Sequence, residues 1–231
     1  SFSYLSLIAL SLLVCLAFIF ITLPSSLDSL PKGIKVKRGK VSLKRQKDTL
    51  KIRASQNSII EYQDFNIGRF EAIRFIQPSK KSRVLNRVVS GKSTQIHGNL
   101  FANGQVYLIN PAGIYFGKQA HIDVAAFYAA SGNIYDHDFI SNKQNFVELS
   151  NQVINEGFIQ AQLVHLLGKR VINRGQIVAD EGMISLVSAD RVLIGEKDSH
   201  VFLEFEASGQ NEDEETGVSQ EGSLKAKKVF L

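Results

Sequence analysis

From Ile34 onward, apolar and polar residues alternate with a period of two. Ile34 and Val36, Val41 and Leu43, and Leu50 and Ile52 are apolar, and Lys or Arg fills most of the positions between them. Successive side chains of a strand point to opposite faces, so this pattern predicts short strands with one solvated, basic face. Apolar stretches continue through IIEYQDFNIGRFEAIRFIQPS (59–79) to LFANGQVYLINPAGIYFG (100–117). The second of these carries two turn signals, Asn103-Gly104 and Asn110-Pro111-Ala112-Gly113, each followed by an alternating run. Asn-Gly readily adopts the positive φ of a tight turn, and Pro111 fixes φ at the second position of another, which Gly113 closes. No window beyond residue 30 combines a helical period with caps, so this part reads as all-β.

Internal repetition sharpens the picture. VINEGFIQA (153–161) recurs as VINRGQIVA (171–179) at an offset of 18, LVHLLG (163–168) corresponds to MISLVS (183–188) at an offset of 20, and IHGNLFA (96–102) is a weaker copy of the first unit. Repeats of about 20 residues with short strands and no helix predict a β-solenoid with one coil per unit. In a parallel β-helix, Ile154 then lies over Ile172, Asn155 over Asn173, Gly157 over Gly175, and Ile159 over Ile177. The four isoleucines are expected to point inward, the asparagines to bond along a corner, and the glycines to let the backbone bend. On this reading the closely spaced turns at 103–104 and 110–113 are corners of a coil. A leucine-rich repeat of similar period would need a regular L-x-x-L-x-L that these units lack.

Residues 4–23 are uncharged and almost wholly apolar, and the first charge is Asp28. Twenty such residues can span a bilayer, whereas Pro24-Ser25-Ser26 and Ser29 supply small residues for a signal peptidase. The segment is expected to be a cleaved export signal, with a retained membrane anchor as the alternative. The expected domains are therefore 1–29 as signal peptide or anchor, 30–205 as the β-helix, and 206–231 as an acidic linker (NEDEETG, 211–217) and tail. The single cysteine, Cys15, falls in the apolar segment, so the rest of the chain has no disulfide or thiolate site.

The net charge of +5 conceals an asymmetry. Ten Lys/Arg lie between Lys32 and Arg53 against the single Asp48, leaving 17 basic and 21 acidic residues elsewhere. Few aromatics interleave with this basic run, which argues against nucleic acid as a partner. The run reads as the solvated face of capping strands, open to an acidic partner surface or lipopolysaccharide phosphates.

Catalytic, metal-binding and cofactor-binding residues are not found in the pattern. The five histidines (97, 121, 137, 165 and 200) show no metal-ligand spacing. His165, alternating with Val164 and Leu166, reads as a surface residue of a strand, and Asp136-His137-Asp138 as a solvated loop. A β-helix polysaccharide lyase or hydrolase is the alternative function. It needs carboxylates and bases converging on one face, whereas Glu156 and Arg174 occupy equivalent repeat positions with opposite sign.

FNIGRFEAIRFIQPS (65–79), VLNRVVSGKSTQIHGNLFANGQVYLINPAGIYFG (84–117), HIDVAAFYAASGNI (121–134) and the two INxG repeats together resemble one family. It is the N-terminal two-partner secretion domain of filamentous-haemagglutinin-type exoproteins, whose start LPKGI (30–34) also resembles. The resemblance covers about residues 30–205. It implies a right-handed parallel β-helix with N-terminal capping strands, exported by a Sec signal and captured by an outer-membrane β-barrel transporter through periplasmic domains. A function as an adhesin's secretion domain that nucleates β-helix folding at the surface of a Gram-negative-type cell follows, with host surfaces or neighbouring cells as targets of a passenger. The family's Asn-Pro-Asn-Gly-Ile signature matches Asn110, Pro111, Gly113 and Ile114 and departs at Ala112, and its Asn-Pro-Asn-Leu element is absent. The expected recognition or folding motif is therefore Asn103, Gly104, Asn110, Pro111, Gly113 and Ile114.

Overall fold

The computed structural model describes residues 29–197, 200–207 and 216–231. The apolar segment 4–23 and most of the acidic stretch 211–217, on which the export-signal and linker expectations fall, lie outside the described residues. The described chain winds as a parallel β-solenoid with three faces. Face C consists of β7 (Thr94–Ile96), β10 (Ile114–Phe116), β15 (Gln152–Asn155), β18 (Arg170–Asn173) and β22 (Gly217–Gln220). Face B holds β3 (Thr49–Ala54), β5 (Ala72–Ile76), β8 (Asn99–Ala102), β11 (His121–Asp123) and β16 (Phe158–Gln160). Face A holds β4 (Ser58–Tyr62), β6 (Arg83–Val88), β9 (Gln105–Ile109), β12 (Ala126–Ala130) and β17 (Leu163–Gly168). Two long strands, β19 (Gln176–Ser188) and β23 (Ser223–Phe230), bend from face B onto face A.

The register is the one that the repeat offsets demand. Ile154 pairs with Ile172 and Asn155 with Asn173, Ile159 with Ile177, and Leu163 with Met183. Like residues then stack at the spacing of neighbouring strands, about 4.8 Å. Leu50, Ile73, Leu100, Ile122, Ile159 and Ile177 form an unbroken aliphatic column inside face B. A β-solenoid closes its backbone hydrogen bonds between coils, so apolar burial inside the coil and the ladders outside it reinforce each other.

The N-terminal end is closed by β1 (Lys35–Arg38), antiparallel to β4, and β2 (Val41–Gln46), antiparallel to β3. Both are edge strands, exposed and basic, and charge on an edge discourages pairing with another chain.

Several expectations are corrected. On face C the inward positions are Val153 with Asn155 and Val171 with Asn173, while Ile154 faces outward and is half-buried. Ile172 is buried, but it stands on the outward side beside Ile154. The cause is the period of two: Asn155 and Asn173 turn inward to bond one another, so the isoleucine before each must turn out. Nor do residues from 206 onward form only a tail. β22 pairs in parallel with β18 and β23 with β19, adding another coil.

Asp136-His137-Asp138 is the first turn of a short helix, α1 (Asp136–Ile140), rather than a solvated loop, and Asp138 is buried. The helix belongs to an extra layer formed with an antiparallel sheet of β13 (Asn133–Ile134), β14 (Gln144–Val147), β20 (Arg191–Lys197) and β21 (His200–Glu206). Ile134, Phe139, Phe146, Val192 and Ile194 pack this layer on the outward side of face A, against Leu85, Tyr107, Tyr128 and Leu167. Two arginines of β6 hold the helix: Arg87 Nη2 donates to Asp136 Oδ1 at 2.8 Å, and Arg83 Nη1 to the Phe139 carbonyl at 2.8 Å and Asn142 Oδ1 at 2.6 Å.

His165 is likewise not a surface residue. It points outward from the coil, yet it lies beneath the extra layer, stacked on Tyr128 with ring centroids 4.8 Å apart. Burial lowers its pKa to about 3, so the imidazole is neutral.

Candidate functional site

Asn110-Pro111-Ala112-Gly113 forms the corner through which the chain leaves β9 on face A and enters β10 on face C. The Gly113 amide donates to the Asn110 carbonyl at 3.0 Å, closing a four-residue turn. The buried Asn110 side chain does more than cap that turn. Its Oδ1 accepts from the Ala112 amide at 2.9 Å, and its Nδ2 donates to the Lys92 carbonyl and to Thr94 Oγ1, both at 2.9 Å. One amide thus fixes its own corner and ties it to the corner of the preceding coil. Gly113 has φ of +99°, a region that favours glycine, and its carbonyl accepts from the Thr94 amide at 3.0 Å. Toward the following coil, the exposed Pro111 offers its carbonyl to Asn151 Nδ2 at 2.9 Å. Ile114 then enters the solenoid core. Ala112 makes its turn contact through the backbone, so the position where the family signature carries a second Asn does not interrupt the corner.

The Asn103-Gly104 corner lies at the other end of β9. The seven residue steps from Asn103 to Asn110 separate the two by roughly 20 Å at strand spacing, so they are two places and not one. Neither Asn103 nor Gly104 has a positive φ. The Asn103 amide instead grips the Gln77 backbone in the preceding coil, accepting from its N–H at 2.8 Å and donating to its carbonyl at 2.7 Å. Gly104 is needed for close approach: a Cβ there would come within 2.6 Å of the Gln77 side chain and 2.7 Å of the Ser82 carbonyl.

The repeat residues make a third, internal ladder. Asn155 Nδ2 donates to Asn173 Oδ1 at 2.8 Å, and Asn173 Nδ2 to Gln220 Oε1 at 3.0 Å, so the ladder continues into a coil that the repeats in the sequence do not announce. A Cβ on Gly175 would run into the Gly157 carbonyl oxygen, which explains a glycine at this corner. Outside it, Arg174 stands between Glu156 at 3.8 Å and Glu221 at 3.0 Å, and Tyr115 donates to Glu156 at 2.8 Å. The charges that differ between repeats neutralise one another along the axis instead of converging on a substrate.

A family model, the TPS secretion domain, matches residues 28–229, which is nearly all of the described chain. The chain belongs to the two-partner secretion domain family. Among curated relatives it is similar to a heme/hemopexin-binding protein of Haemophilus influenzae strain Rd, at 32% identity over 235 residues, covering 96% of this chain and 25% of the relative. A second Haemophilus influenzae heme/hemopexin-binding protein is 33% identical over 138 residues, covering 58% of this chain and 15% of the relative. The chain therefore spans at most a quarter of the length of these relatives. Among solved structures it is similar to the crystal structure of the HMW1 secretion domain from Haemophilus influenzae, with a TM-score of 0.74 and 26% identity, covering 87% of this chain and 57% of that one. Proteins of this family are exported, and the secretion role of the domain is not an enzymatic one.

Proposed function

We propose that this domain is the export module of a longer exoprotein, captured by a cognate outer-membrane β-barrel transporter, and that it starts β-helix folding once outside the cell. The observation that supports this is the two-partner secretion match across residues 28–229, together with its position within a quarter of a longer relative. The export signal or anchor read in residues 4–23 is the corresponding address.

The structure suggests how the chain would be handled. Its strands pair across long sequence separations, so coils close slowly, and an open chain in the periplasm still offers extended segments. Such a segment can add as a strand to a sheet edge in the transporter's periplasmic domain. Outside, each coil templates the next, and burial of the interior column disfavours return. The Asn110–Ile114 corner is the proposed recognition or nucleation element, because Asn110 links two successive coils before later ones exist. An adhesin role, directed at host surfaces or neighbouring cells, belongs to the passenger in this reading.

The test replaces Asn110 and Pro111 together and measures secretion with the partner transporter beside refolding yield in vitro. The expected outcome is impaired secretion with refolding largely retained. Full secretion removes the recognition role, and joint loss of secretion and refolding assigns the corner to folding alone.

A further inference from the structure

We propose that the outward side of face B, from β2 to β16, binds a linear anionic polysaccharide carrying carboxylate or sulfate groups. This reading is independent of the export function. Lys44, Lys51 and Arg74 stand in register on β2, β3 and β5, and the same column continues to Phe101 on β8. Arg53 lies beside them, two residues beyond Lys51 on β3. Leu50, Ile52, Ile73 and Phe75 are buried in the core, so the residues between them point to solvent.

Neighbouring strands are about 4.8 Å apart, and like charges placed directly opposite each other on adjacent strands destabilise a sheet. Yet none of these four cations has an ion-pair partner among the described residues. Lys51 Nζ reaches only Gln46 Oε1 at 3.3 Å, and Arg74 lies over the Phe101 ring at 4.7 Å. The first acid on this column is Asp123, beyond Phe101. The contrast with the corner outside the repeats is direct, since there Glu156, Arg174 and Glu221 alternate in sign. A row of uncompensated cations on a flat sheet is complementary to anions repeated along an extended chain.

The rest of the face supplies the second component of such a site. Phe101, His121 and Phe158 follow one another edge to face, with centroids 5.6 and 5.2 Å apart, and all three are half-buried. Their outer surfaces suit the apolar C–H faces of sugar rings. Edge-to-face packing leaves no parallel slot for a nucleobase, which favours a glycan over a nucleic acid. At its other end the face runs into a concavity of about 430 Å³, lined in part by Lys40, Ser42, Arg53 and Ser55, which adds a further cation and two hydroxyls.

The experiment measures binding of the full secreted chain to heparin, with neutral dextran and single-stranded oligo-dT as the other probes, across a salt series. Heparin is expected to bind and dextran not, with affinity falling as salt rises. Replacing Lys44, Lys51, Arg53 and Arg74 with Ser is expected to weaken heparin binding by roughly tenfold or more and flatten its salt dependence, as lost anion contacts require. Replacing Lys80, Lys81, Lys118 and Lys143, four exposed lysines elsewhere, should change it less than about twofold, since screening confines the effect to nearby charges. Phe101→Ser with Phe158→Ser should lower affinity at every salt concentration without changing the slope. Absence of heparin binding at low salt, an equal loss in the control set, or tighter binding of oligo-dT would overturn the proposal.

Discussion

Faces A and B are built by the same coils and enclose the same interior, but their outward sides differ. On face A the outward residues Leu85, Tyr107, Tyr128 and His165 lie under α1 and the antiparallel sheet, and β12 is buried at all five positions. On face B the outward residues are Lys51, Arg53, Arg74, Asp123 and Gln160, and each strand alternates between core and solvent. A strand covered on one side alternates, whereas one covered on both is mostly apolar, and polar residues under the cover, such as Arg83 of β6, are hydrogen-bonded or stacked there as His165 is. The difference shows that the extra layer is specified by the strands it covers as much as by its own residues: AFYAA (126–130) has no polar position to offer to water, while HID (121–123), one corner earlier, has two.

The largest expected effect tests whether that cover is structural. Phe146 is fully buried between the extra sheet and Tyr107 and Tyr128, with centroids 6.3 and 6.1 Å away. Phe146→Ala should cost about 3 to 5 kcal/mol, the usual loss for a large aromatic in a packed core. Phe158→Ala on face B should cost less than about 1 kcal/mol, because its half-exposed ring gives up little burial. Denaturant unfolding of the two variants decides the matter. Equal losses would mean that the extra layer adds no second core.

What could be read from the sequence follows the same division. The offset of 18 sets Asn155 over Asn173 and Ile159 over Ile177, because stacking coils must repeat their own spacing. It does not say which of two adjacent apolar residues faces inward. VIN offers Val and Ile side by side, and only the inward pull of the asparagine ladder decides for Val153 and Val171. The extra layer was illegible for a different reason. Its strands come from two separate stretches, 133–147 and 191–206, joined only in space. The clue was available in LVHLLG, where a histidine within an apolar run signals a strand covered on both sides. The Asn110 corner could be located from Pro111 and Gly113, but its bonds to Lys92 and Thr94 depend on coil stacking, which no local pattern reveals.

A second test uses pH to probe face A. The buried His165 has a pKa lowered to about 3 by desolvation, while an unfolded histidine titrates near 6.5. Below pH 6.5 the unfolded chain takes up a proton that the folded chain refuses, so this contribution is complete above pH 6.5 and is lost progressively toward pH 3. The slope is about 1.4 kcal/mol per pH unit, or about 3 kcal/mol between pH 6.5 and 4.5. His165→Phe should flatten the stability profile in that window by comparison with the parent, which cancels the carboxylates common to both. Parallel profiles for parent and His165→Phe would show that the imidazole is reached by water.

The smallest effects come from arginines, and they bring the two faces into the closest comparison because Arg83 and Arg74 are both outward residues of solenoid strands. Arg83 is buried and donates to the Phe139 carbonyl and Asn142 at the C-terminal end of α1, so its charge also meets the negative end of the helix. Arg83→Ala removes the charged donor from both, leaving the Phe139 carbonyl only the Asn142 amide at 3.2 Å, and should cost about 2 kcal/mol, the scale of hydrogen bonds to a charged group. Arg74 is exposed and stands next to Lys51 with no carboxylate beside it. Arg74→Ser removes a repulsion along with its contact to Phe101, so stability should change by less than about 0.5 kcal/mol. The sign of that change is decisive. If the repulsion outweighs the ring contact, Arg74→Ser stabilises the fold at low salt, and the gain disappears as salt screens the neighbouring lysines. A clear destabilisation that persists at high salt would show that Arg74 holds face B together through its stem and the Phe101 ring, and that it is a structural residue as Arg83 is, though by packing instead of by hydrogen bonds.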